Sequence, residues 1–296
     1  MTNRVLVPGL FVVLWSSGYV VVRLTMPDAG PVRFLAWRFG LAALLLAAAA
    51  VMVRAPWATR TVDYGHMGLV GLLVHGIGLG GVWVALDLGV EAGVAALVMG
   101  TQPLITVALA VILIGERIDR RMAAGFVLGF LGVTLVIHHK LAGVGNPAGL
   151  AAVVIAVVAM TLGVLYQKRQ CAHIDLVTGS AVQLAFSGVA CLAVAWWIDD
   201  RPVEWTPRIF AVLGWSVLVL SIAAVLLLYR FLRRGDASRV SSLFYLVPPV
   251  TALMAWAVFR ETLAPLALAG MALTAVGVAL VASGPAAPRE EVTKAR

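Results

Sequence analysis

The chain has 296 residues, of which 62% are hydrophobic and 12% charged, with a formal net charge of +8. Soluble domains are about half apolar and about a quarter charged, so a soluble fold of this length could not cover so many apolar side chains, and the surplus must face lipid. The basic residues fall mostly between apolar runs, which fits a membrane boundary better than nucleic acid.

A helix needs about 20 apolar residues to cross a hydrocarbon core of about 30 Å. Helices are required because lipid offers the backbone no hydrogen-bonding partner. The first such run, 5–24, follows Arg4 and ends at Arg23. It is longer than a signal-peptide core and lacks a small-residue cleavage site, so it reads as a retained span. Four more follow at 32–53, 66–87, 92–114 and 121–138. After a short link come 147–167, 177–198, 208–230, 238–259 and 263–283, and then a polar tail, 285–296.

Basic residues set the expected orientation. With the N-terminus in the cytoplasm, that side holds Arg4, Arg54, Arg60, Arg117, Arg120, Arg121, Lys168, Arg169, Arg230, Arg233, Arg234, Arg239, Arg289, Lys294 and Arg296. The other side and the span interiors hold only Arg23, Arg33, Arg38, Lys140, Arg201, Arg208 and Arg260. Both termini are therefore expected in the cytoplasm.

The chain repeats itself at a constant offset of 145 residues. Gly18 corresponds to Gly163, Pro103 to Pro248, Thr106 to Thr251, Glu116 to Glu261, Gly125 to Gly270 and Gly132 to Gly277. Each repeat holds five spans, an odd number, so the second must enter from the opposite face. The expected fold class is an all-α membrane protein of ten transmembrane helices, built as two inverted five-helix repeats, 5–138 and 147–283. Inverted repeats are a hallmark of secondary transporters, whose site lies at mid-depth between the halves.

Polar residues inside the spans mark the candidate pathway. Trp15, Ser16, Ser17 and Tyr19 interrupt the first span; Thr161, Tyr166 and Gln167 interrupt the sixth. Helix–helix hydrogen bonding is the alternative for these, and Tyr166 lies near an interface where Tyr serves as an anchor. Arg38 lies two turns into the second span, where an arginine is expected to face a cavity or a partner or to snorkel outward. His75 is the one histidine deep in a span, suited either to proton shuttling or to a satisfied core position. Pro103 and Pro248 are expected to kink spans four and nine, with Gln102 and Tyr245 beside the kinks. Glu116 and Glu261 read as caps of the following helices; Asp87 and Glu91 are rim positions for ion coupling. Gly125 and Gly129, with Gly270 and Thr274, permit close packing within the bundle or with a second copy. Cys171 and Cys191 are too few for a disulfide framework and lie in no metal-ligand spacing, so neither a metal nor a cofactor is expected.

These motifs carry a resemblance. Leu-Trp-Ser-Ser-Gly-Tyr (14–19), Arg38, Gly-Thr-Gln-Pro-Leu-Ile-Thr (100–106) and Gly-Glu-Arg (115–117) in the first half resemble the EamA-type branch of the drug/metabolite transporter superfamily. So do Leu-Tyr-Gln-Lys-Arg (165–169), Leu-Phe-Tyr-Leu-Val-Pro-Pro-Val-Thr-Ala (243–252) and Arg-Glu-Thr-Leu (260–263) in the second, with Arg260 where the family often has Gly. The resemblance implies a carrier of amino acids, other small metabolites or toxic organics, commonly moved outward across a bacterial inner membrane. Proton coupling is compatible with such export. The competing classes are an intramembrane enzyme, for which no nucleophile motif or paired carboxylate is found, and a membrane scaffold.

Overall fold

The computed structural model describes residues 3–102, 104–105, 109, 120–141, 146–198, 201–223, 246–260 and 265–282. Among these residues the chain forms ten helices and no strand. They are α1 (Asn3–Thr25), α2 (Pro31–Met52), α3 (Thr61–Asp87), α4 (Ala92–Met99), α5 (Arg120–Leu141), α6 (Pro147–Gln170), α7 (Leu176–Ile198), α8 (Pro207–Ala223), α9 (Val247–Phe259) and α10 (Pro265–Ala282). Among the described residues, α2, α3, α6 and α7 are each long and apolar enough to cross a membrane.

The helix starts are written locally. Pro31, Pro147 and Pro207 occupy first-turn positions, where a missing N–H costs nothing. Asn146 Oδ1 accepts from the Ala148 amide at 3.0 Å, and Thr206 Oγ1 accepts from the Ile209 amide at 3.2 Å. These side chains satisfy amide groups left over at the helix ends. The expectation for α3 began at 66, but the helix starts at Thr61. Its first turn, Thr-Val-Asp-Tyr, is too polar for lipid yet remains helical outside it.

The core is apolar, but polar side chains are enclosed within it and large apolar ones cover the outer surface. Ser16, Thr161, Ser187, Ser216 and Thr251 are fully enclosed, whereas Phe130 is 72% and Trp197 is 85% exposed. Lipid is the solvent that accommodates such a surface.

Helix packing obeys one rule. The most extensive contacts join α3 to α6, α5 to α10 and α2 to α7. Around these, α3 packs on α7, α1 on α8 and α9, α2 on α8, and α4 on α6 and α9. Exchanging each helix for its mate five places along maps this scheme onto itself: α1–α9 becomes α6–α4, and α2–α8 becomes α7–α3. The α5–α10 seam gives the direction. A Cβ on Gly132 would strike the Gly270 carbonyl and the Thr274 amide, and one on Gly277 would strike the Gly125 carbonyl and the Gly129 amide. As α5 advances, its partner on α10 recedes, so equivalent helices run antiparallel. The two repeats are inverted.

Candidate substrate pathway and its gates

The helices that meet on the twofold place several of the polar positions together. Ser16 on α1 is buried, and its hydroxyl faces the Val247 carbonyl of α9 at 3.4 Å. Ser17 donates to Leu14 O at 2.7 Å and accepts from Trp215 Nε1 of α8 at 3.1 Å. Trp15 is half-buried, its ring 5.5 Å from that of Phe11. Tyr19 is half-buried against the main core.

Arg38 is 6% exposed, so it does not snorkel. Its Nε donates to Ser221 Oγ of α8 at 3.3 Å, and its guanidinium lies 5.9 Å from the Phe39 ring centre. Ser221 in turn donates to the Ser216 carbonyl at 3.1 Å. The other face of this arrangement is Phe39, whose ring sits 5.8 Å from that of His75 on α3. Arg38 and Phe39 thus bridge α3 and α8.

Both bridged helices are irregular at the point of contact. Within α3, residues Leu72–Leu79 are π-helical; within α8, Trp215–Ala223 are too. The 145-residue offset carries 72–79 onto 217–224, so the two segments overlap at 217–223. A π-helix is rare and tends to occur at functional sites, and here it recurs in both halves. His75 belongs to the first segment; Ser216 and Ser221 belong to the second. Hydropathy carries no trace of this feature, because it reports how apolar a segment is and not which carbonyl each amide reaches.

The remaining expected positions divide. Thr161 spends its hydroxyl on Val157 O of its own helix at 2.7 Å, so it stabilises α6 locally. Tyr166 Oη lies 2.7 Å from His66 Nδ1, near the end of the bundle and away from Arg38. Gln102 is half-buried just after a break in the helix at Gly100–Thr101. Pro248 was expected in mid-helix; the described helix α9 begins at Val247, so Pro248 lies in its first turn and is tolerated there. It still packs on α4, its Cγ 3.2 Å from the position a Cβ would take on Gly100. Pro103, Tyr245, Glu116 and Glu261 lie outside the described residues. Ser216, Ser221 and Thr251 were not singled out in advance. Ser216 Oγ and Thr251 Oγ1 are buried and have no hydrogen-bond partner among the described residues.

Ionic contacts close the two ends of the bundle. At one end Asp28, in the α1–α2 link, receives Arg208 Nε at 2.6 Å and Nη2 at 2.5 Å, and Thr206 Oγ1 at 3.1 Å. The Glu204 amide donates to the Asp28 carbonyl at 2.7 Å. Hydrogen bonds from Arg208 hold the Asp28 carboxyl below its ordinary range; burial opposes this, and Thr206 and the guanidinium charge reinforce it. At the same end Asp87 pairs with Arg201 at 2.6 Å. At the other end Asp63, at the start of α3, faces His173 Nε2 at 3.4 Å. Burial and the charge on Asp63 push the nearby Cys171 thiol up. Both cysteines are buried and free. Among the described residues no cluster of His, Cys, Asp or Glu could hold a metal ion.

Comparison with known proteins agrees with this architecture. The model of the EamA-like transporter family matches residues 6–138 and 147–283. The chain is 27% identical to the "Uncharacterized inner membrane transporter YedA" of Escherichia coli K12, over 92% of this chain and 88% of that one. It is 28% identical to a "Probable amino-acid metabolite efflux pump" of Salmonella typhimurium, over 91% of each. A solved structure with 20% identity shares the fold at a TM-score of 0.66, covering 94% of this chain and 96% of the other. With one family match over each five-helix half, the chain belongs to the EamA-like transporter family, and it is a multi-pass membrane protein.

Proposed function

We propose that this protein is a secondary active transporter that exports small amino-acid-like or amphipathic metabolites across a bacterial inner membrane by alternating access. The observation that carries the reading is the self-mapping helix scheme. Two halves of opposite direction have two nearly equivalent arrangements, one open to each side, around a shared central face. That face carries Arg38, Ser16 and the hydroxyls of Ser216 and Thr251, which have no hydrogen-bond partner among the described residues. A small solute with polar and apolar parts is the ligand that such a surface suits. The inner membrane is the location named for the E. coli relative, and efflux of amino-acid metabolites is the role named for the Salmonella one.

The test is flux in everted vesicles or proteoliposomes against a panel of amino acids, their derivatives and amphipathic organics. Saturable uptake into everted vesicles, reduced by Trp15→Leu or Gln102→Leu without loss of insertion, supports the reading. If no solute in the panel moves while a membrane protein copurifies, the chain is a scaffold instead.

A further inference from the structure

The ion pairs at the two ends of the bundle are images of one another. Adding 145 to Asp28 gives His173, and subtracting 145 from Arg208 gives Asp63. The structure pairs Asp28 with Arg208 and Asp63 with His173. One contact is therefore made twice, once at each end. The burial pattern repeats as well. Asp28 and Asp63 are each 5% exposed, and their partners Arg208 and His173 are 48% and 57% exposed. Only the direction is exchanged. At one end the acid lies in the link and the base at the head of α8. At the other the acid lies at the head of α3 and the base in the link.

The two ends are opposite. Helices α3 and α6 run antiparallel: Gly163 abuts Leu73 and Val74, whereas Gly149 abuts Ala85 and Leu88. Asp63 is thus at the far end of α3 from Asp87, about 36 Å away along the helix. Asp87 and Asp28 are both gripped by the segment that carries Arg201 and Arg208.

We propose that these pairs are the two gate latches of the transport cycle, and that a charged His173 strengthens the Asp63–His173 latch, whereas the Asp28–Arg208 latch holds with the same strength at any physiological pH. This rests on the transporter reading given above. A guanidinium is always charged, but an imidazole gains and loses its charge near neutrality. Acid therefore favours closure of the Asp63 end, and alkali releases it. By the bias in basic residues, that end faces the cytoplasm. Both cations are half-exposed, so each latch is weak. A weak latch suffices to bias two arrangements of nearly equal energy.

Other groups around His173 must be separated from it. The link before α3 carries Arg54 and Arg60, and α3 adds Tyr64 and His66. The end of α6 carries Tyr166, Lys168 and Arg169, and the link to α7 carries Cys171 and Asp175. Of these, His66 is the other imidazole and already contacts Tyr166, so it is the necessary control.

Spin-label distances across each end test the proposal on the full chain in proteoliposomes. Labels enter at Thr59→Cys with Ala172→Cys for one end, and at the mates Pro27→Cys with Glu204→Cys for the other, in a Cys171→Ala, Cys191→Ala background. From about pH 5.5 to about pH 8 the open fraction at the Asp63 end should rise about two- to fivefold, the range an exposed ion pair supports. The other end should close in step. His173→Arg should hold the Asp63 end closed across the range, His173→Gln should leave it open, and His66→Phe should respond like the wild type. Arg208→His should transfer the pH response to the Asp28 end. A pH response that survives His173→Arg, or one abolished by His66→Phe, overturns the proposal, as does a wild type with no response. Normal flux with a pH-insensitive latch removes this inference alone. A responsive latch with no flux for any solute removes the transporter reading alone.

Discussion

Gly132 and Gly277 occupy the same seat on opposite sides of the α5–α10 seam. A Cβ on Gly132 would lie 2.6 Å from the Gly270 carbonyl oxygen and 2.7 Å from the Thr274 nitrogen. One on Gly277 would lie 2.6 Å from the Gly125 carbonyl oxygen and 2.9 Å from Gly129 Cα. Gly270 and Thr274, which Gly132 meets, are the repeat mates of Gly125 and Gly129, which Gly277 meets, as a contact across a twofold axis requires. Backbone cannot move aside as a flexible side chain can, so these positions admit no larger residue.

Gly132→Ala and Gly277→Ala should therefore destabilise the protein by similar amounts, about 1–3 kcal/mol each, the usual cost of overpacking. Gly40→Ala is the contrast. A Cβ there meets nothing within 4 Å, and replacing a helical glycine with alanine is favourable by up to about 1 kcal/mol. Thermal melting in detergent should separate the two glycines of the seam from Gly40 by the sign of the shift.

Arg38→Gln should leave the protein inserted and folded, since Gln183 already occupies the equivalent place in the second repeat. Transport should fall by at least about tenfold in kcat/KM, because a buried hydrogen bond to a charged donor is lost. Ser221→Ala should give a smaller loss of the same kind. A flux assay normalised to membrane content measures both, and unchanged flux in Arg38→Gln would take Arg38 out of the pathway.

Stability should depend on acid through Asp28. Its carboxyl is held below the ordinary range by Arg208, so the folded state binds its proton less readily than the unfolded state. The stabilisation is complete above the unfolded value of about 4 and disappears as pH falls through the lowered folded value. Melting temperature should drop in that acid window, and Asp28→Asn should lower it at neutral pH while flattening the acid slope. Equal acid slopes in the two proteins would show that other carboxyls dominate.

Much of this could be read from the chain. Each of the ten apolar runs holds a helix among the described residues because lipid leaves the backbone no alternative, and the close packing expected at Gly125, Gly129, Gly270 and Thr274 falls in the α5–α10 seam. Arg38 and Ser16 stood out because a polar residue in an apolar run is conspicuous. The latches were harder to see. Asp28 and His173 sit in polar links and Asp63 and Arg208 in the first turns of α3 and α8, where a charge is unremarked, and the offset aligns Asp28 with His173 while the contact joins Asp28 to Arg208. Repeats reveal which residues are equivalent; only the fold reveals which are neighbours across the axis. Pro248 follows a turn at Leu246, the repeat mate of Thr101, where the first half also breaks, and the residues before Leu246 lie outside the described ones.

The paired π-helical segments should be the least protected part of α3 and α8. They depart from the i→i+4 ladder into the rare π pattern, and local opening is fastest where the backbone ladder is interrupted. They also face each other across Arg38 and Phe39, which makes them the natural place for the helices to bend as the repeats rock. Hydrogen exchange followed by mass spectrometry should show residues 72–79 and 215–223 exchanging faster than the helix on either side. A transported solute should slow both segments together, because each reports on the same central contact from its own repeat. Slow, solute-insensitive exchange in both would mean that the π-helical turns are rigid parts of the scaffold and that bending occurs elsewhere, with the break at Gly100–Thr101 in α4 the next position to examine.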